Sequence, residues 1–100
     1  MRVFNSRTLL EFARAHADAA IAFRELNRTL RAENWATFQD VVAAYPRSRA
    51  VKGDRVVFNV KGNDYRVVAS LDYERRAVFI KFVGSHAEYD KIQAETVNQF

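Results

Sequence analysis

Through the first 45 residues apolar positions recur at intervals of three and four, and after residue 54 β-branched and aromatic runs take over. Ahead of the first helical series, Arg2-Val3-Phe4 reads as a short strand, and Ser6 is placed to cap a helix beginning at Arg7. Leu9, Phe12, Ala13, His16 and Ala20 fall on one stripe of that helix. Asp18 is placed to cap a second helix, whose apolar stripe is Ala19, Ala22, Phe23, Leu26 and Leu30. Trp35, Phe38, Val41, Val42 and Tyr45 form a third series, with Asn34 as its cap and Pro46 as its stop.

Three strand-like runs follow, over residues 55–60, 65–73 and 77–83, joined by turn chemistry at 61–64 and 74–76. Short polar joints between such runs predict an antiparallel meander. Ser85 with Glu88 three residues on matches a capping box, so a short helix is expected from His86. Residues 93–100 carry weak signals. Helices first and strands afterwards, with no strand–helix alternation, predict an α+β fold of one domain spanning residues 1–100. The helical N-terminal half would pack on a C-terminal antiparallel sheet, leaving the sheet's other face partly open.

Composition narrows the function classes. The 100 residues include three glycines and one proline, 49% are hydrophobic and 28% charged, which describes a folded domain rather than a disordered chain. No apolar run approaches the ~18 residues of a membrane span, and Met1-Arg2-Val3-Phe4-Asn5 does not open a secretory leader, so a cytoplasmic location is expected. The absence of cysteine excludes disulfides, thiol catalysis and thiolate zinc. Two histidines seventy positions apart, with no carboxylate or imidazole cluster at ligand spacing, give no metal site, and no cofactor motif is present. The net charge of +4 favours a polyanionic partner. The excess is uneven: residues 1–50 hold 8 Lys/Arg against 5 Asp/Glu, whereas residues 51–100 hold 8 against 7. RNA binding by the second half would therefore rest on a few placed cations.

Alternation assigns faces to those cations. In the second run Tyr65, Val67, Ala69, Leu71 and Tyr73 share one side, with Arg66, Val68, Ser70 and Asp72 on the other. In the third, Val78, Ile80 and Phe82 oppose Ala77, Phe79, Lys81 and Val83. Two readings stand. Arg66 and Lys81 are solvated residues of an outer face, or they are neighbours that neutralise one phosphate, which the planar fork of arginine suits. His86 likewise is either a partly exposed first-turn residue or a base. A helix N-terminus disfavours imidazolium, and a neutral imidazole can accept the proton of a ribose 2′-hydroxyl. Tyr89 lies in the same short helix and is able to stack on a base or donate a hydrogen bond. His16, on an apolar stripe, reads as structural.

Residues 57–68, Val-Phe-Asn-Val-Lys-Gly-Asn-Asp-Tyr-Arg-Val-Val, followed by Ile80-Lys81-Phe82-Val83 and by His86-Ala87-Glu88-Tyr89-Asp90-Lys91-Ile92, resemble the signature of HigB-type toxins within the RelE-like superfamily of bacterial toxin–antitoxin modules. The resemblance extends over nearly the whole chain. It implies a microbial-ribonuclease-like fold and a ribosome-dependent endoribonuclease that cuts mRNA by metal-free attack of a 2′-hydroxyl. It also implies a helix-turn-helix antitoxin, through whose complex alone operator DNA would be bound. Carried onto matching positions, it assigns phosphate and transition-state contacts to Arg66 and Lys81 and acid–base roles to His86 with Tyr89. Lys61, Asn63 and Lys91 become RNA contacts. A non-catalytic RNA-binding module and a protein-interaction module on the same fold are the alternatives.

Overall fold

The change of period in the sequence becomes a change of layer in the structure, a computed structural model that describes residues 1–100. Strand β1 (Arg2–Phe4) leads into helix α1 (Ser6–Ala15), a single 3₁₀ turn (Ala17–Ala19), helix α2 (Ala20–Ala32) and helix α3 (Phe38–Ala44). Strands β2 (Ser48–Val51), β3 (Arg55–Val60), β4 (Tyr65–Asp72) and β5 (Ala77–Ser85) follow, then one turn of helix, α4 (His86–Tyr89). The five strands make one sheet in the order β1-β5-β4-β3-β2, antiparallel except where β1 runs parallel to β5. The α+β expectation holds. None of the helices is long and apolar enough to cross a membrane.

One face of the sheet carries the main core. Val56, Phe58, Val60, Tyr65, Val67, Ala69, Leu71, Val78 and Ile80 pack against Leu9, Ala13, Phe23, Leu26, Leu30, Trp35 and Val41 from the helical half. Phe58 is fully buried between Trp35 and Tyr45, with ring centroids 6.5 Å and 5.4 Å away. Each large apolar side chain buried in this way contributes roughly 1.5–3 kcal/mol relative to exposure, and this layer dominates the stability.

Several helix boundaries differ from the sequence expectation. Asn5, not Ser6, occupies the cap position of α1 in a left-handed conformation (φ 65°), where Asn is tolerated, and Ser6 is already helical. Asp18 does not cap α2, which starts from the 3₁₀ turn without a side-chain cap. Helix α3 begins three residues beyond Trp35, because Thr37 and Asp40 form a reciprocal capping box and Asn34 is left outside. By contrast, the Ser85–Glu88 capping box forms as expected: Glu88 Oε1 accepts from the Ser85 N–H at 2.8 Å, and Ser85 Oγ accepts from the Glu88 N–H at 3.2 Å. The first of these bonds holds the Glu88 carboxyl below its ordinary range.

The second face is where β5 departs from simple alternation. Val68 pairs with Phe82 and Ala69 pairs with Ile80, so Lys81 is an extra, bulged residue. The bulge reverses the faces beyond it. Phe82, expected beside Val78 and Ile80, lies instead with Val57 and Val68, and Val83 crosses to the helical side. This face is only partly open, as expected, because the C-terminal segment crosses its middle. Ala94 is buried against Val57, Val68 and Phe82, with Ile92 and Val97 packed alongside. Arg55 ties the segment down by donating to the carbonyls of Ala94 (3.1 Å) and Val97 (2.6 Å). Beyond the short β1, Gln99 completes the edge of β5: its N–H donates to the Lys81 carbonyl at 2.9 Å, and its Oε1 accepts from the Val83 N–H at 3.0 Å.

Candidate active site

Arg66 is the one charged residue that the fold buries, at 8% exposure. Its position follows from the pleat: Val67 must face the core, so Arg66 projects onto the second face, opposite Gly84 of β5. The preceding turn then closes over it. Lys61 and Gly62 both adopt positive φ (52° and 63°), folding Asn63 back above the strand. Arg66 Nη2 donates to Asn63 Oδ1 at 2.7 Å, while Nη1 donates to the Asn63 carbonyl at 2.9 Å and the Tyr65 carbonyl at 3.2 Å. Those bonds account for three of the five guanidinium N–H groups, leaving two for a ligand. No carboxylate pairs with this cation, since Asp64 is turned to Lys61 and Asp90 to His86. A buried charge without a counter-ion is costly, and an arriving anion would relieve that cost.

Helix α4 supplies the rest of the site. The Tyr89 ring lies 5.6 Å from the Arg66 guanidinium carbon and 6.3 Å from the Phe82 ring. Gly84 makes this close layering possible, because a Cβ there would come within 2.6 Å of the Phe82 ring. From β2, Arg49 Nη2 donates to the Tyr89 hydroxyl oxygen at 2.6 Å, which leaves the phenol's own proton free to be donated. His86 begins the helix and Tyr89 follows three residues on, placing the two side chains on one helical face. His86 Nδ1 lies 3.1 Å from Asp90 Oδ2. A carboxylate can only accept at that distance, so Nδ1 carries a proton, and in the neutral ring Nε2 is then the acceptor. Both side chains are substantially exposed, so the pair serves orientation more than stability.

Not every residue singled out from the sequence joins this cluster. Arg66, Asn63 and Tyr89 come together at one end of the second face, and His86 opens the helix that carries Tyr89, its ring bonded to Asp90. Lys81 shares the face but not the site: it stands three residues along β5 from Gly84, about 10 Å of strand, with the Val68–Phe82 pair intervening. Its Nζ lies 5.9 Å from the Phe79 ring centroid. Arg66 and Lys81 stand on the same face but are not directly paired across the strands, and the bulge at Lys81 adds one residue to their separation along β5. Lys61 turns toward the helical side, where Nζ donates to Asp18 at 3.1 Å and lies 3.8 Å from Asp64. Lys91 is exposed just beyond α4. Arg49 and Asp90 were missed. Asp90 had a readable signal in its spacing of four residues from His86, whereas Arg49 lies on a strand that the sequence did not announce.

Asp18 also accepts from the Tyr65 hydroxyl, at 2.9 Å. The Lys61 and Tyr65 donors hold its carboxyl below the ordinary range. A depressed carboxylate contributes stability that is present above its unfolded value and lost as pH falls through its folded one. Asp18→Asn should therefore narrow the stability gap between neutral and acidic pH, as read by urea unfolding at each pH; an unchanged gap would show that this exposed pair contributes nothing. His16 is structural as expected: Nδ1 donates to the Phe12 carbonyl at 3.0 Å and the ring stacks on Phe12 at 3.8 Å.

No group of three or more His, Cys, Asp or Glu side chains converges to hold a metal ion. What converges is a pinned cation and a phenol with a free proton, with an imidazole on the same short helix, groups able to act in phosphoryl transfer. Comparison with known proteins points the same way. The chain is similar to the mRNA interferase HigB of Escherichia coli O6:H1 (strain CFT073), at 29% identity over 94 residues, covering 92% of this chain and 91% of that protein. Residues 19–92 match the HigB toxin family, described as the RelE-like toxic component of a toxin–antitoxin system. The match takes in all three elements that build the site, β2, β4 and α4, and the chain belongs to that family of toxins.

Proposed function

We propose that this toxin is an endoribonuclease that cuts mRNA during translation, and that Arg66 seats the scissile phosphate. The observation that carries the reading is a buried guanidinium with no counter-ion, fixed by Asn63 and overlain by Tyr89. The name of the similar protein, an mRNA interferase, supports reading the anion as a phosphate of mRNA.

In this mechanism His86 Nε2 takes the proton from the ribose 2′-hydroxyl, and Asp90 holds the ring in the tautomer that allows it. The 2′-oxygen attacks the adjacent phosphorus in line and the bond to the 5′-oxygen breaks. Tyr89, whose oxygen already accepts from Arg49, gives its proton to that leaving oxygen. The products are a 2′,3′-cyclic phosphate and a 5′-hydroxyl end. Arg66 stabilises the charge that develops on the phosphoryl oxygens, the largest contribution from the protein. Lys81 and Lys91 are assigned to the flanking RNA, and the ribosome supplies alignment of the substrate. A helix-turn-helix antitoxin is the partner that restrains the toxin, and operator DNA is reached only through their complex. The cytoplasm, where messages are translated, is the site of action.

Primer extension on a translated message tests the reading. New discrete 5′ ends bearing hydroxyls should appear with the unaltered chain. Bound message without new ends would make the protein a binding module.

A further inference from the structure

At the other end of the second face, two phenylalanines from different strands stack in the open. Phe4 of β1 pairs with Phe79 of β5, and their rings lie 4.8 Å apart at an interplanar angle of 9°. Phe4 is 40% exposed, and Phe79 is half-buried. Anchoring β1 does not require this stack, since Val3 faces the other way and packs on the main core. Each ring also carries a cation. The Arg2 guanidinium carbon lies 5.4 Å from the Phe4 centroid, and Lys81 Nζ lies 5.9 Å from that of Phe79. Two aromatic rings bracketed by two flexible cations have the chemistry of a single-strand nucleic-acid platform, in which bases stack and cations meet phosphates.

We propose that the Phe4–Phe79 stack, with Arg2 and Lys81, is a stacking platform for an unpaired base of the substrate RNA flanking the cleavage point. The proposal rests on the ribonuclease reading above. Phe79 is five residues along β5 from Gly84, the partner of Arg66, which puts the platform roughly 15 Å from the guanidinium on the same face, with the C-terminal segment over the Val68–Phe82 pair between them. The cation–π contacts here are near the outer limit of their range and solvent-exposed, so they are weaker than base–aromatic stacking. An arriving base displaces a cation from its ring, and the freed side chain turns to the neighbouring phosphate. The direction of approach is set by charge. Beyond Phe79 the surface cavity is lined by the carboxylates of Asp54, Asp72 and Glu74, of which Asp72 is paired with Arg75, and their charge repels a phosphate, so the strand enters from the Arg2 and Lys81 side.

The test uses the full chain and a short 2′-O-methyl oligonucleotide that cannot be cleaved, alongside its abasic counterpart. The double variant Phe4→Leu/Phe79→Leu should bind the base-bearing oligonucleotide about tenfold or more weakly, with abasic affinity unchanged. Phe4→Tyr/Phe79→Tyr should bind both as the unaltered chain does. Equal binding by the leucine variant, an equal loss for both oligonucleotides, or a loss confined to the antitoxin would each overturn the platform. Primer extension with the unaltered chain reads the nuclease activity separately, so failure of the platform is not confused with failure of the activity.

Discussion

Replacing Arg66 with methionine is expected to lower message cleavage by about 10²–10³-fold while leaving the protein as stable as before, or more so. The two halves of this expectation have one cause. Arg66 is buried without a counter-ion, so the folded chain carries an electrostatic cost that an apolar side chain of similar length removes. Two of its three lost hydrogen bonds are to the exposed Asn63, where water can take them over, and only the one to the Tyr65 carbonyl is lost at a buried group. In the proposed reaction the same cation faces the developing phosphoryl charge, while Arg49, the other guanidinium of the cluster, is engaged with Tyr89. Thermal unfolding and cleavage of a translated message, measured on the same preparation, check both halves. A variant that loses stability and activity together would make Arg66 a structural residue, and one that loses neither would remove it from the account.

Substituting His86 with alanine should lower the cleavage rate by about 10²–10⁴-fold, the range of a lost general base. Fold stability should hardly change, since the imidazole is exposed and its pairing with Asp90 is at the surface. Asp90→Ala leaves the imidazole in place but frees its orientation and tautomer, so its rate should fall between those of the unaltered chain and His86→Ala. Single-turnover cleavage with antitoxin-free toxin orders the three. If Asp90→Ala were slower than His86→Ala, the carboxylate would be acting on its own account and the assignment of the base would be wrong.

Much of this arrangement was legible in the residues, and what was not has identifiable physical causes. The core face of β4 was readable because Tyr65, Val67, Ala69 and Leu71 alternate without interruption, and the same alternation placed Arg66 on the opposite face. Helix α4 was readable because its capping box is local, needing only Ser85 and Glu88. The bulge in β5 was not, since Val78-Phe79-Ile80-Lys81-Phe82-Val83 alternates plausibly and only pairing with β4 reveals the extra residue. That single residue set Lys81 one position further from the partner of Arg66 and carried Phe82 to the second face, where Tyr89 packs on it. Strand β2 was also invisible: Ser48-Arg49-Ala50-Val51 has one β-branched residue and exists because β3 offers it a ladder. With β2 unseen, Arg49 could not be placed against Tyr89. The C-terminal segment escaped notice because Arg55 holds it through backbone carbonyls, which leave no trace in residue type.

The proposed mechanism requires Arg66 to accept a phosphate of the message in preference to the other cations of the face. The direct measurement follows the guanidinium Nε–H resonances of ¹⁵N-arginine-labelled toxin as a non-cleavable RNA, 2′-deoxy at the cut position, is added. The Arg66 signal should shift first and become protected from exchange with water, with Arg49 responding at the same RNA concentration. If the Arg66 signal stayed fixed while the surface arginines of the helical half moved, the buried cation would not be the phosphate seat, and the active site would have to be sought elsewhere on the chain.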